Sequence, residues 1–213
     1  MRNFPPERII CLTEETVETL YLLGEQNRIV GVTGYAVRPP AVRKEKERVA
    51  AFTSARIDKI LSLNPDLVLA FSDLQAEIAA ALIKNGVAVM TYNQRDIAGI
   101  LAMIRHLGAT VGAGIKAEEL ASSYEKRLAN LRTVSKTNFR PRVYFEEWDS
   151  PMITGIKWVS ELVELAGGTD VFSKLSSNEA ATDRIVSSEE VIEAAPDIII
   201  ASWGGKKVRT ETF

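Results

Sequence analysis

The stretch at residues 58–72, DKILSLNPDLVLAFS, decides the fold of this chain. It begins as a short amphipathic helix, and Asn64-Pro65-Asp66 ends that helix because the residue before a proline is forced out of the α region. The apolar run Leu67–Phe71 that follows is short enough to be a buried strand. Because the run contains no polar alternation, we expect both of its faces to be covered, as in a parallel sheet.

The same pattern recurs near the C-terminal end, at residues 189–203, as EEVIEAAPDIIIASW. Here Ala195-Pro196-Asp197 ends a helix, and the strand is Ile198–Ala201. Ser187 and Glu190 fit a capping box at the start of this helix. The repeat indicates two similar lobes, and a length of 213 residues accommodates either one large domain or two of about 100 residues each.

The residues around the first copy alternate between strand and helix patterns, which favours a mostly parallel sheet. A helix capped by Thr13 and ended by Gly24 separates the first two strands. The charged residues 43–48 are interpreted as solvated surface. The predicted strands of this lobe are residues 8–12, 28–32, 67–71 and 87–92.

Helical spacing then continues over residues 115–134, which predicts one stiff helix about 30 Å long. Strands are expected again at residues 142–145 and 169–172, with a loop at residues 146–155. We therefore predict three segments. They are an N-terminal α/β lobe (1–95), a helical segment with the interlobe helix (96–138) and an incomplete C-terminal α/β lobe (139–213).

Composition disfavours several functional classes. The net charge is −2 and no basic tract stands out, which argues against a nucleic-acid partner. With Cys11 and His106 as the only residues of their kinds, a metal site built from nitrogen and sulfur ligands is not expected. We find no catalytic constellation, so we expect a protein without enzymatic activity or an intrinsic cofactor. No stretch approaches the roughly 20 apolar residues of a membrane span.

Four aromatic residues fall at or just beyond the ends of predicted strands. Ligands of open α/β sheets bind beyond the carboxyl ends of the strands. Flat aromatic walls with few charges suit a large, planar and partly apolar ligand. The four residues are Tyr35, Phe71, Trp148 and Trp203.

Together with both copies of the repeat, four further stretches resemble one family, the ABC-transporter substrate-binding proteins for vitamin B12 and ferric siderophores. The stretches are RIICLTEETVETLYLLG, RIVGVTGY followed by Pro39-Pro40, GVAVMTYN, and ITGIKWVSELVELAGGTDVF. The Tyr35 loop, the sequence EEWDSPMITG and Trp203 are most similar to the cobalamin-binding branch. The resemblance implies two Rossmann-like lobes with mostly parallel sheets, joined by one long rigid helix.

The resemblance also implies roles for individual residues. Tyr35, Phe71, Trp148 and Trp203 would stack on a ligand in the cleft between the lobes. Ser72 and Asp73 would lie at its rim. Glu77 would dock into an arginine pocket of the permease, although a solvated acid in the first turn of a helix explains it equally well. A second docking glutamate is expected near the C-terminus, with Glu211 as the candidate.

The function implied is that of the binding component of an ABC importer, which captures a corrinoid such as cobalamin and delivers it to the permease. Ferric-siderophore or haem binding is the alternative within the family, with Arg38, Arg184 and Lys206 as candidate contacts for an anionic ligand. A cytoplasmic corrinoid-handling protein on the same fold is a third reading, since we recognise no export signal. The resemblance itself implies a periplasmic or extracytoplasmic location.

Family members continue well beyond the position of Trp203. The second lobe is therefore expected to be truncated at Phe213, with an uncovered sheet edge. Because such edges pair with other chains, a dimer is expected if the truncation is real.

Overall fold

The computed structural model describes residues 4–135, 139–204 and 206–209, and the chain divides into two compact units. The first unit comprises Met1–Gln94 and Leu101–Ser122. The second comprises Arg95–Ile100 and Ser123–Phe213. The helical region between the two sheets is thus shared between the units.

The first unit is built on a five-stranded sheet with the order β3-β2-β1-β4-β5, in which every pairing is parallel. This confirms the predicted parallel sheet. Strand β4 lies between β1 and β5, and its first four residues are fully buried, as its apolar sequence predicts. The strands are β1 (Ile9–Cys11), β2 (Ile29–Thr33), β3 (Arg48–Ala50), β4 (Leu67–Phe71) and β5 (Val89–Tyr92).

Strand β3 is missing from the sequence prediction. The charged residues 43–48 are mostly exposed, as predicted, and they also include most of a short helix and the first residue of β3. The helix orients Val42 inward and the strand orients Val49 inward, and both side chains are fully buried. The charges conceal an edge strand because only its central residue faces the core.

Six helices begin in or cross the first unit: α1 (Glu14–Leu22), α2 (Val42–Glu45), α3 (Ile57–Ser62), α4 (Ala76–Lys84), α5 (Ile97–Thr110) and α6 (Gly114–Val134). The 21 residues of α6 confirm the long helix that the spacing predicts. Helices α5 and α6 approach closely at Gly108, where a β-carbon would lie 2.1 Å from that of Ala117. No helix in the described ranges is long and apolar enough to cross a membrane.

The second unit is built on the central strand β6, which pairs in parallel with β8 and β9 and antiparallel with β7. The sheet is therefore mostly parallel, as predicted. Its elements are β6 (Arg142–Asp149), β7 (Met152–Thr154), α7 (Lys157–Leu165), β8 (Thr169–Asp170), α8 (Ser188–Ala194) and β9 (Ile198–Ala201). The predicted capping box of Ser187 and Glu190 is present at α8.

The loop predicted at residues 146–155 is mostly a β-hairpin. Strand β6 extends to Asp149, and β7 returns beside it, with Trp148 opposite Ile153. Aromatic and β-branched residues stabilise each other across such a pair. Of the predicted loop, only the short turn between β6 and β7 is present, at the turn-forming sequence Asp-Ser-Pro.

The two copies of the sequence repeat also make equivalent hydrogen bonds. In the first copy, Asp66 accepts the backbone N–H groups of Glu7 and Arg8 at 3.0 and 3.1 Å. The guanidinium of Arg8 donates to the carbonyls of Leu63 and Asn64, which end α3. These bonds attach the end of the helix to the start of β1.

The second copy makes the same attachment at the start of β6. Asp197 accepts the backbone N–H of Arg142 at 2.7 Å, and the Arg142 guanidinium donates to the carbonyls of Ala194 and Ala195. The residue before the proline has a positive φ in both copies, 46° at Asn64 and 41° at Ala195. Both residues therefore lie outside the right-handed α region, as predicted.

The two copies differ in the burial of their strands. The prediction of a strand covered on both faces holds for β4, for which it was made, whereas in β9 Ile198, Ile199 and Ile200 are 44%, 45% and 43% exposed. Strand β4 has a partner on each side, whereas β9 pairs only with β6 among the described residues. The same apolar sequence thus forms a central strand in one sheet and a peripheral strand in the other.

Candidate functional site

Strands β6 and β9 of the second unit bring Trp148 and Trp203 to the same place. Glu146 of β6 is opposite Ala201 of β9, and each tryptophan lies two residues further along its own segment. The ammonium of Lys206 lies 4.2 Å from the ring centre of Trp148 and 4.9 Å from that of Trp203. The two aromatic residues predicted for this lobe therefore lie side by side, although Trp148 is on a strand and not in a loop.

Lys206 is held over the rings by an ion pair with Asp149, the last residue of β6. The hydrogen bond from the ammonium lowers the pKa of the Asp149 carboxyl from its ordinary value. Both side chains remain partly exposed to solvent. The positive charge of Lys206 is thus already paired with a carboxylate where it faces the tryptophans.

Glu146 fixes the other side of Trp203. Its carboxylate is buried and accepts hydrogen bonds from the Trp203 indole Nε1 at 2.9 Å and from the Tyr144 hydroxyl at 3.1 Å. Burial, and then the negative charge of Glu146, raises the pKa of the Tyr144 hydroxyl. A buried carboxylate requires such donors, so the indole is held in one orientation.

Glu147 has a different partner from Glu146, because neighbouring side chains in a strand point to opposite faces of the sheet. Its carboxylate pairs with the Arg184 guanidinium at 2.6 and 3.3 Å. The same guanidinium donates to the carbonyl of Thr154, and the Arg184 side chain is only 2% exposed. The expectation that Arg184 contacts an anionic ligand is not supported by this placement, because its charge is turned into the unit.

The two rings differ in accessibility. Trp203 is only 6% exposed, whereas Trp148 is half-buried and donates its indole N–H to the carbonyl of Ser150 at 3.0 Å. Lys206 covers part of each ring. The tryptophan pair (Trp148 and Trp203) is therefore covered in this state.

In the first unit, Tyr35 follows the carboxyl end of β2 and Phe71 forms the carboxyl end of β4, with β1 between these two strands. Tyr35 lies in the turn after β2 with 48% of its surface exposed, and its backbone N–H donates to the Thr33 hydroxyl. Phe71 is the last residue of β4 and is partly buried. Tyr35 therefore presents an open ring at the strand ends of this sheet.

Ser72 and Asp73 were both expected at a ligand-binding rim. Ser72 is buried at a positive φ of 52°, and its hydroxyl accepts the N–H of Leu74 as the cap of a short 3-10 helix. Asp73 is exposed. The serine hydroxyl is thus occupied by the backbone, and Asp73 alone is accessible to a ligand.

Gln75 organises the strand ends of the first unit and was missed from the sequence. Its buried amide donates to the carbonyls of Leu12 and Phe52 at 3.3 and 2.8 Å, and its oxygen accepts the N–H of Phe71 at 3.0 Å. These bonds connect the segments after β1, β3 and β4. A glutamine beside a predicted strand end carried no signal, because its partners are distant in the sequence.

Phe52 and Leu74 are two further exposed apolar residues at these strand ends. Phe52 lies two residues beyond β3, and its position could be recognised only once β3 was known. Leu74 lies in the 3-10 helix after β4 with its side chain exposed. Gln75 links the backbone of Phe52 to that of Phe71, so Phe52 lies at the same strand ends as Phe71.

Glu77 is exposed in the first turn of α4, a position that suits either a docking residue or a solvated acid. Glu211 lies outside the described residues. Within those residues, no group of three or more histidine, cysteine or acidic side chains could hold a metal ion. Cys11 is fully buried, and burial raises the pKa of its thiol to about 12.

The sequence also matches a known family along nearly its whole length. The family described as "Periplasmic binding protein" matches residues 9–213.

The chain belongs to the periplasmic binding protein family. A vitamin B12-binding protein of Vibrio cholerae is 32% identical over 207 residues, which cover 94% of this chain and 72% of the relative. A vitamin B12-binding protein of Pectobacterium atrosepticum is 24% identical over 98% of this chain and 76% of the relative.

Solved structures agree with this assignment. The crystal structure of a periplasmic vitamin B12-binding protein of Vibrio cholerae has a TM-score of 0.78 at 29% identity, covering 94% of this chain and 78% of that one. A periplasmic haem-binding protein from Roseiflexus has a TM-score of 0.79 at 25% identity, covering 92% and 76%. Membership in this family supports a substrate-binding role, and the relatives named here are a vitamin B12-binding and a haem-binding protein.

Proposed function

We propose that this protein is the substrate-binding component of an ABC importer and that its ligand is a corrinoid. The observation that carries the proposal is the tryptophan pair at the ends of β6 and β9. Indole rings offer broad apolar faces to a flat macrocycle. The similarity to vitamin B12-binding proteins over 94% of the chain supports the choice of a corrinoid.

In the first unit, the open Tyr35 ring, with Phe71 and the exposed Phe52 and Leu74, provides a second apolar set. Asp73 adds a polar group beside it. A corrinoid combines a flat ring system with polar side chains, so apolar walls with a few polar groups suit it. We propose that this set is, by itself, a surface suited to such a ligand.

The charges favour a corrinoid over an anionic ferric siderophore. Of the three cations considered for an anionic ligand, Arg184 is buried against Glu147 and Lys206 is paired with Asp149. An anionic ligand would have to compete with these carboxylates. Haem remains the second candidate, since a haem-binding relative shares the fold at 25% identity.

Ligand titrations test the proposal directly. Cyanocobalamin, haemin and a ferric siderophore are titrated separately while tryptophan fluorescence and heat are recorded. We expect cyanocobalamin to bind most tightly, and Trp148→Ala and Tyr35→Ala each to weaken it about tenfold or more, since aromatic contacts dominate such sites. Trp158→Phe, on helix α7, is the matched control and should bind like the wild type. Tighter binding of haemin or of the siderophore would reject the corrinoid.

Delivery to a permease is proposed to use Glu77, which is exposed on α4. Such delivery would place the protein outside the cytoplasm. Reversal of its charge in Glu77→Arg should leave the affinity for the ligand unchanged and slow uptake through the cognate importer, because complementary charges guide docking. Glu189→Arg on α8 serves as a control for the change in net charge. Unimpaired uptake by Glu77→Arg would remove this residue from the docking surface.

A further inference from the structure

The tryptophan pair has a different charged group on each side. The buried carboxylate of Glu146 accepts the Trp203 Nε1–H at 2.9 Å and is fixed in turn by the Tyr144 hydroxyl. A group buried in this way cannot exchange its partners for water. The edge of the Trp203 indole is therefore anchored inside the unit.

The other side is held by a much looser contact. The Lys206 ammonium lies over both rings, at 4.2 and 4.9 Å from their centres, and its side chain is 39% exposed. Its partner Asp149 is 29% exposed. Ion pairs and cation–π contacts that solvent reaches contribute little stability, so this contact can open.

A flat ligand that stacks on the tryptophan pair needs the ring surface that the ammonium occupies. Trp203 is only 6% exposed while Lys206 is in place. Movement of Lys206 would free the ring faces, whereas movement of Glu146 would release the ring itself. The two side chains therefore affect the Trp203 ring in opposite ways.

We infer that Glu146 is a positioning residue that holds the Trp203 ring for the ligand, and that Lys206 covers the tryptophan pair until a ligand displaces its ammonium. This inference rests on the proposed function for its ligand. Lys206 is then a determinant of specificity. A ligand binds only if its stacking on the rings is more favourable than the contacts of the ammonium that it displaces.

The cover is tested first without any ligand. The chain has three tryptophans, so in a Trp158→Phe background, with excitation at a wavelength that only tryptophan absorbs, the emission comes from the tryptophan pair. Quenching by neutral acrylamide is compared between Lys206→Met, which keeps the apolar stem, and Lys207→Met, an exposed neighbour as the matched control. We expect at least twofold stronger quenching for Lys206→Met and no change for Lys207→Met. Equal quenching in both variants would overturn the inference that Lys206 covers the tryptophan pair.

The second experiment measures the affinity for cyanocobalamin. Lys206→Met should bind about fivefold more tightly, the size of one exposed cation–π contact. Glu146→Leu should bind about tenfold more weakly, because it frees the indole and leaves two buried donors unpaired. Glu146→Gln retains an acceptor for the indole and should restore most of the affinity.

The two variants are expected to change the affinity in opposite directions, and this distinguishes a positioning role of Glu146 from a general loss of stability. Glu146→Leu should also be quenched more strongly, so greater ring accessibility accompanies tighter binding in one variant and weaker binding in the other. Thermal unfolding of each variant shows whether it is folded at the assay temperature. If Glu146→Leu does not fold, Tyr144→Phe removes the second hydrogen bond that fixes Glu146, leaves both indole rings in place, and should weaken binding about threefold.

Unchanged or weaker binding by Lys206→Met, or wild-type affinity in a folded Glu146→Leu, would overturn the inference. If the wild type binds no corrinoid, the proposed function fails. The quenching comparison then still decides whether Lys206 covers the rings.

Discussion

The duplicated aspartates should differ strongly in their contribution to stability, although the sequence presents them in the same pattern. Asp66 is buried and accepts two backbone N–H groups, whereas Asp197 is exposed and accepts one. Replacement of Asp66 by alanine leaves two donors at the start of β1 unpaired, and each hydrogen bond to a charged group contributes about 1.5 kcal/mol. We expect Asp66→Ala to lower the free energy of unfolding by about 3 kcal/mol.

At Asp197, water can replace the lost carboxylate, so Asp197→Ala should cost about 1 kcal/mol or less. Asp66→Asn is the matched variant, since its side-chain oxygen can still accept one or both N–H groups, and it should recover about half of the loss.

Urea unfolding measures both effects. Far-UV circular dichroism reports the helices of both units, while all three tryptophans, Trp148, Trp158 and Trp203, lie in the second unit. Separate transitions in the two signals would require two-stage analysis. We expect Asp66→Ala to shift the circular dichroism transition by several times the shift of Asp197→Ala. A loss for Asp66→Ala no larger than that for Asp197→Ala would refute the reasoning from burial.

Three further predictions concern the first unit. Gly108→Ala should lower the free energy of unfolding by about 2 kcal/mol, because its β-carbon would overlap helix α6, whereas Gly114→Ala, with its nearest neighbour at 4.0 Å, should be neutral in the same urea experiment. Cys11 should not react with a thiol reagent at pH 8 until the protein unfolds, because burial raises its pKa to about 12; rapid reaction of the native protein would contradict this. Arg105 lowers the pKa of the Glu118 carboxyl from 4.5 to about 2, so the stabilisation by this pair is complete above pH 4.5 and is lost as the pH falls towards 2. Glu118→Gln should flatten the acid limb of the stability curve, and an unchanged limb would count against the pair.

Local sequence features explain why part of the fold was predictable. The apolar run of β4, the helical spacing of α6 and the capping box of α8 are each defined by neighbouring residues. Strand β3 was missed because it has three residues and begins in a charged stretch, and the end of β6 was missed because its residues are mostly polar. Those residues adopt strands because adjacent strands supply their hydrogen bonds.

The candidate site was likewise predictable only in the part that depends on local sequence. Tyr35, Phe71, Trp148 and Trp203 could be selected from the sequence because ligands bind beyond the ends of parallel strands. The hydrogen bond between Glu146 and Trp203 could not, since its two residues are 57 positions apart.

The sequence by itself determined the alternation of strands and helices, the long helix and the duplicated helix–proline–strand segment. All of these depend on interactions within a few residues. Only the tertiary structure decided that β4 is buried between two partners while β9 is exposed, that Arg184 is turned inward, and that Lys206 lies over the tryptophan pair. Burial and charge pairing depend on which distant segments lie beside a residue, and the local sequence pattern does not identify those segments.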